Sequence, residues 1–108
     1  MNGVFLVGIL RTLPVVSETA AGVKLAKAII EVERNFRNSE GVFDTDKYQV
    51  TFWRGIAEST AELCEVGDVI AVRGRIQSNN YVSKEGNDIY AIEVIAEKIS
   101  FLNTIKGG

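Results

Sequence analysis

Apolar and polar side chains alternate with period two along most of this chain, and the period breaks once. Val4 to Leu10 is an apolar run punctuated by Gly3 and Gly8 and predicts a first strand. Pro14 cannot donate to a sheet ladder, so an edge or turn is expected there, and residues 15–23 read as a connection. From Lys24 to Glu33, Ala26, Ala28, Ile30 and Val32 share one face while Lys27, Ile29, Glu31 and Glu33 share the other. Its alanines and charges also allow a helix. The alternation and the β-branched Ile30 and Val32 favour a strand, and Arg37 to Gly41 then turns the chain into a hairpin.

Lys47 to Trp53 alternates Tyr48, Val50 and Phe52 against Gln49, Thr51 and Trp53, a third strand. The period changes at Ile56 to Leu63, where Ala57, Ala61, leucine and glutamates predict a short helix closed by Gly67-Asp68. Val69 to Gln77 is a fourth strand, with Ile70, Val72, Gly74 and Ile76 opposite Arg73, Arg75 and Gln77. Ser78 to Asn87 is a polar connection, and Ile89 to Ile99 reads as a long fifth strand. In that strand Tyr90, Ile92, Val94 and Ala96 alternate against Glu93 and Glu97. Five strands with a helix between the third and fourth is the element order of an all-β OB-fold barrel, whose helix plugs one end. A generic five-stranded roll is the rival.

With 108 residues the chain predicts one domain over 1–103, followed by a short loose segment over 104–108. A hydrophobic share of 46% and a net charge of -2 argue against disorder and against a strongly basic nucleic-acid glue, but leave room for a local basic face. No run approaches the roughly 18 apolar residues of a membrane span. The N-terminus lacks a basic leader, so a cytoplasmic protein with no membrane partner is expected.

Catalytic chemistry finds little material. The chain has no histidine, which removes His-based triads and His-metal sites, and its single cysteine, Cys64, can form no internal disulfide. Cys64 is read as a structural thiol within the helix, since no basic neighbour is present to stabilise a thiolate. Asp44 and Asp46 flank Thr45 without completing a metal loop, and read as a solvated turn after Phe43. Gly3 and Gly8 precede no Gly-Lys-Ser/Thr step. No enzyme, cofactor or metal is therefore expected.

A binding surface has better support. Single-strand recognition needs aromatic faces for bases and cations for the backbone. Trp53 lies beside Arg54, Phe36 stands between Arg34 and Arg37, Tyr81 lies in the polar connection, and Arg73 and Arg75 share a strand face. The bland readings are a packing role for Phe36, a subunit contact for Trp53 and cross-sheet ion pairs for the two arginines.

Over residues 2–102 the chain resembles the bacterial single-stranded DNA-binding protein family. The resemblance is carried by Asn2 to Gly8, by Tyr48-Gln49-Val50-Thr51-Phe52-Trp53-Arg54-Gly55-Ile56-Ala57-Glu58, and by Gly67 to Gln77, with Tyr81, Gly86, Tyr90 and Glu93-Val94 continuing it. It implies an OB-fold homotetramer that wraps single-stranded DNA without reading sequence, in replication, recombination or repair. It also implies base platforms at Phe36, Trp53 and Tyr81 and a phosphate contact at Arg75, with Arg73, Arg34, Arg37, Lys47 and Arg54 as further DNA-binding candidates. Several positions depart from the family pattern. Lys47 stands where an aromatic is usual, Ile9 and Leu13 replace commoner polar residues, and Asn79 replaces a basic one. The chain ends at Gly108 without the acidic tip through which relatives recruit replication and recombination proteins. The alternative function is an OB-fold accessory protein acting through protein contacts in primosome or recombination assembly.

Overall fold

The computed structural model describes residues 1–102. Its elements are β1 (Val4–Leu10), β2 (Ser17–Glu18), β3 (Lys24–Arg37), β4 (Phe43–Trp53), α1 (Arg54–Leu63), β5 (Val69–Ser78), β6 (Tyr81–Val82), β7 (Asp88–Ile89) and β8 (Ile92–Phe101). β1, β5, β8, β4 and β3 pair in that order, and β1 pairs with β3 to close a five-stranded barrel. All barrel pairings are antiparallel except β4–β8, which is parallel through Val50–Val94 and Thr51–Ile95. This is the OB-fold expected from the element order. Residues 104–108, expected to be loose, lie outside the described residues, as does residue 103.

The period-two pattern explains which faces turn inward. Ala26, Ala28 and Ile30 of β3, Val50 and Phe52 of β4, and Ile70 and Val72 of β5 are all buried. With Leu10 they form one continuous core, and α1 packs against β3, β4 and β8, burying Ala57 and Thr60. Glycines set the closest strand approaches. A Cβ on Gly74 would run into the Ile95 carbonyl oxygen, and one on Gly8 into the Glu31 carbonyl oxygen.

Several sequence-based boundaries are corrected. β4 begins at Phe43 rather than Lys47, so Asp44 and Asp46 lie in a strand and not in a solvated turn. β3 runs on to Arg37 through a bulge between Glu33 and Arg37, a feature that smooth alternation hides. α1 starts at Arg54, and Cys64 is its buried C-cap rather than a helical residue. The polar connection carries a small hairpin, Tyr81 opposite Ile89 and Val82 opposite Asp88. β8 accordingly starts at Ile92, not Ile89, and Tyr90 and Ile92 are exposed rather than on a core face. β8 bulges at Glu97, opposite Arg73–Gly74, and just before it Val94, Ile95 and Ala96 are buried in succession. Among the described residues no helix is long and apolar enough to cross a membrane.

Candidate nucleic-acid interface

Trp53 ends β4 and immediately precedes α1. It lines an open cleft of about 720 Å³ together with Arg54, Arg75, Gln77 and Glu97. The sequence separates Trp53 from Arg75 by a helix and a turn, and barrel closure brings them to one cleft. Arg75 is engaged there: its Nη1 donates to Glu97 Oε2 at 3.1 Å and its Nη2 approaches Gln77 Oε1 at 3.4 Å. The cross-sheet ion pair considered for this arginine therefore exists. Arg73 is exposed on the same strand, in register with Phe5 of β1.

A second group gathers around Lys47. With Lys27, Tyr48, Gln49, Asn79 and Glu93 it lines a smaller groove at the β4–β8 junction, about 270 Å³ in volume. Glu93 is fixed between Thr51 Oγ1, which donates to it at 2.6 Å, and Asn79 Nδ2 at 3.0 Å. The Thr51 hydrogen bond outweighs partial desolvation and holds this carboxyl below the usual glutamate range, so the groove contains a fixed anion as well as its lysines.

The β3–β4 hairpin carries the third group. Phe36 is 62% exposed within the bulged end of β3. Arg34 binds Asp46 through two parallel hydrogen bonds, Nε to Oδ2 at 2.9 Å and Nη2 to Oδ1 at 2.8 Å, with Asp44 3.8 Å away. This bidentate contact holds Asp46 below the ordinary aspartate range and raises Arg34. Arg37 lies 4.6 Å over the Phe43 ring and donates to the Gly41 carbonyl. Asp44 and Asp46 thus have an identified job: they hold a basic side chain.

Tyr81 stands apart on the β6–β7 hairpin, 59% exposed, and shares a shallow hollow with Val82 and Tyr90. The nine sequence-chosen residues accordingly divide among separate patches. Trp53, Arg54 and Arg75 share one cleft, whereas Phe36 and Tyr81 belong to two projecting hairpins. Lys27, Tyr48 and Tyr90 were not singled out as site residues. Lys27 is legible as an outward position of β3, but Tyr90 looks like core until the small hairpin is known.

Elsewhere the chemistry is quiet. Among the described residues no group of three metal-ligating side chains comes together. Burial pushes the Cys64 thiol up to about 11, which leaves it protonated and unreactive near neutrality.

A closed OB barrel with an open cleft and aromatic hairpins defines a binding module. Residues 1–102 match the model of the Single-strand binding protein family. "Single-stranded DNA-binding protein B" of Bacillus subtilis is 38% identical over 102 residues, covering 94% of this chain and 90% of that protein. "Single-stranded DNA-binding protein 3" of Listeria innocua is 37% identical over 108 residues, all of this chain and 68% of the relative. A Bacillus cereus relative named "Single-stranded DNA-binding protein" is also 37% identical, and the chain spans 64% of its length. The chain belongs to the single-strand binding protein family, a family of binding proteins rather than enzymes.

Proposed function

We propose that this protein binds and protects single-stranded DNA independently of sequence, in replication, recombination or repair. The observation that carries the reading is the shared cleft of Trp53, Arg54 and Arg75 on a family barrel. Bases stack on Trp53, with Phe36 and Tyr81 on the hairpins as further platforms. Each stacked base is worth roughly 1–3 kcal/mol, which lets a protein of net charge -2 bind a polyanion. Arg75, Arg73, Lys47 and Arg37 supply phosphate contacts, and Arg34 contributes once its carboxylate partners yield.

The protein assembles as a homotetramer. Phe5 and Val7 on β1 are 68% and 41% exposed, an apolar strip whose burial between copies is favourable. Assembly would also extend the DNA track beyond one small barrel, in the cytoplasm.

Fluorescence titration with oligo-dT at two salt concentrations tests the binding. Trp53 is the only tryptophan and reports stacking directly. Quenching, weaker affinity at high salt and little duplex binding are expected. No binding at low salt overturns the function, and saturation with unchanged emission removes Trp53 from the site. The accessory-protein reading draws on the carboxylates that occupy Arg34 and Arg75. Tight binding to a replication or recombination protein, without DNA binding, would favour it.

A further inference from the structure

A fixed carboxylate works against a groove that receives a polyanion, because it repels phosphate. Glu93 is such a group, in the groove of about 270 Å³ at the β4–β8 junction. Gln77 stands opposite Glu93 in the β5–β8 register, so the two side chains share one face of the sheet. Gln77 also lines the Trp53 cleft, and the groove therefore adjoins that cleft. A DNA strand that crosses the cleft and runs on over this face meets Glu93 next.

The carboxylate is held as a rigid acceptor. Thr51 Oγ1 donates to its Oε2 at 2.6 Å, and Asn79 Nδ2 donates to its Oε1 at 3.0 Å. An ionised carboxylate accepts at roughly four lone-pair sites, so each oxygen keeps accepting capacity after these bonds are made. The Thr51 hydrogen bond also keeps the group ionised near neutrality. Tyr48 and the exposed Ile92 border the same groove and offer apolar surface to the plane of a base. Lys27 and Lys47 line it too, but their flexible stems let the charges follow phosphates, whereas the acceptor is tethered.

We propose that Glu93 reads the Watson–Crick edge of one base in the bound strand and favours cytosine over thymine. The inference rests on the single-strand reading above and adds to it a bias of base composition, with the order of bases left unread. Cytosine presents an exocyclic N4 amine, a donor that suits a carboxylate. Thymine presents O4 at the same place, an acceptor whose lone pairs oppose those of Glu93, and its N3–H is flanked by two carbonyl oxygens. Such an edge is available in a single strand, where no partner base occupies it.

Titration with oligo-dC, oligo-dT and oligo-dU near neutral pH tests it in the wild type, Glu93→Gln and Asn79→Ala. Differences in stacking and backbone flexibility among the oligomers are common to all three proteins, so the readout is each protein's dC-to-dT affinity ratio. Glu93→Gln keeps the size of the side chain, leaves one accepting oxygen and adds an amide donor suited to thymine O4. Its ratio should fall about fivefold below that of the wild type, with the salt slope nearly unchanged because no phosphate contact is lost. Asn79→Ala, at an exposed position, unties one oxygen and should lower the ratio by a smaller factor. Oligo-dU should bind the wild type as oligo-dT does, since both carry O4. Equal ratios in the wild type and Glu93→Gln would overturn the proposal. So would oligo-dU binding like oligo-dC, which would assign the difference to the thymine methyl group. Should circular dichroism show Glu93→Gln unfolded, an unchanged ratio in Asn79→Ala would overturn it instead. Absence of binding to every oligomer would defeat the parent reading.

Discussion

Arg75 and Glu97 form an ion pair across the outer surface of β5 and β8, Nη1 to Oε2 at 3.1 Å, beside the cleft that Trp53 lines. Both side chains are about half exposed, so the pair adds little to stability. Its larger effect is on ligand charge. Arg75→Ala should weaken oligo-dT binding and flatten the salt slope by about one unit, whereas Glu97→Gln should tighten binding at low salt. Equal affinities and slopes in Arg75→Ala and the wild type would leave the arginine a purely structural group.

Tyr81 separates stacking from charge. It is exposed on a two-stranded hairpin outside the barrel, so Tyr81→Ala should fold normally, with a stability change within about 0.5 kcal/mol. Affinity for oligo-dT should fall by the roughly 1–3 kcal/mol of one stacked base, with the salt slope unchanged. Undiminished binding would take this hairpin out of the interface.

Such expectations depend on how much the sequence discloses. β1 is legible to the residue because Val4–Leu10 is an apolar run broken only by Gly8, with clear ends. The start of β4 was not, because Asp44 and Asp46 have poor strand propensity and their reason for being there, Arg34, lies on the neighbouring strand. β8 was misjudged by three residues at its start, since Tyr90 and Ile92 continue the period of Val94 while facing solvent. The site candidates were recoverable as residue types. Their grouping was not, because Trp53 and Arg75 meet in one cleft only through closure of the barrel, which no local pattern encodes.

Gly74 should tolerate no side chain. A Cβ there meets backbone, the Ile95 carbonyl, which cannot swing aside as a flexible side chain would. Gly74→Ala is expected to cost about 3 kcal/mol or more, seen as a lowered denaturation midpoint in urea. Wild-type stability would mean that β5 and β8 separate at the bulge without penalty.

Acid stability should depend on Thr51. Its hydroxyl is the main reason that Glu93 titrates below its ordinary value. A carboxyl depressed in the folded state contributes stability above its unfolded pKa of about 4.3, and loses it as pH falls through the folded value. Thr51→Val should therefore cost about 1 kcal/mol at pH 6 and much less at pH 3, so its pH profile is flatter. Parallel profiles for variant and wild type would assign the loss to packing alone.

Val7→Asp tests assembly. A charge on the exposed strip of β1 should shift light-scattering mass from about four chains towards smaller species or cause aggregation, while the wild type holds its mass on dilution. A wild-type monomer at micromolar concentration would end the tetramer proposal.

The closing seams of the barrel bear on its birth at the ribosome. β3 and β4 adjoin in sequence and can zip together as soon as both have emerged. β1 pairs along Val4–Ile9 with β5, so its apolar residues must wait through the synthesis of three further strands and a helix before that partner exists. The parallel seam at Val50–Val94 waits longer still. Such distant pairings make closure a slow, late step. Until it occurs, the nascent chain carries an unpaired sticky edge on β1, which makes the interval before β5 appears the time when this barrel is most exposed to misassociation.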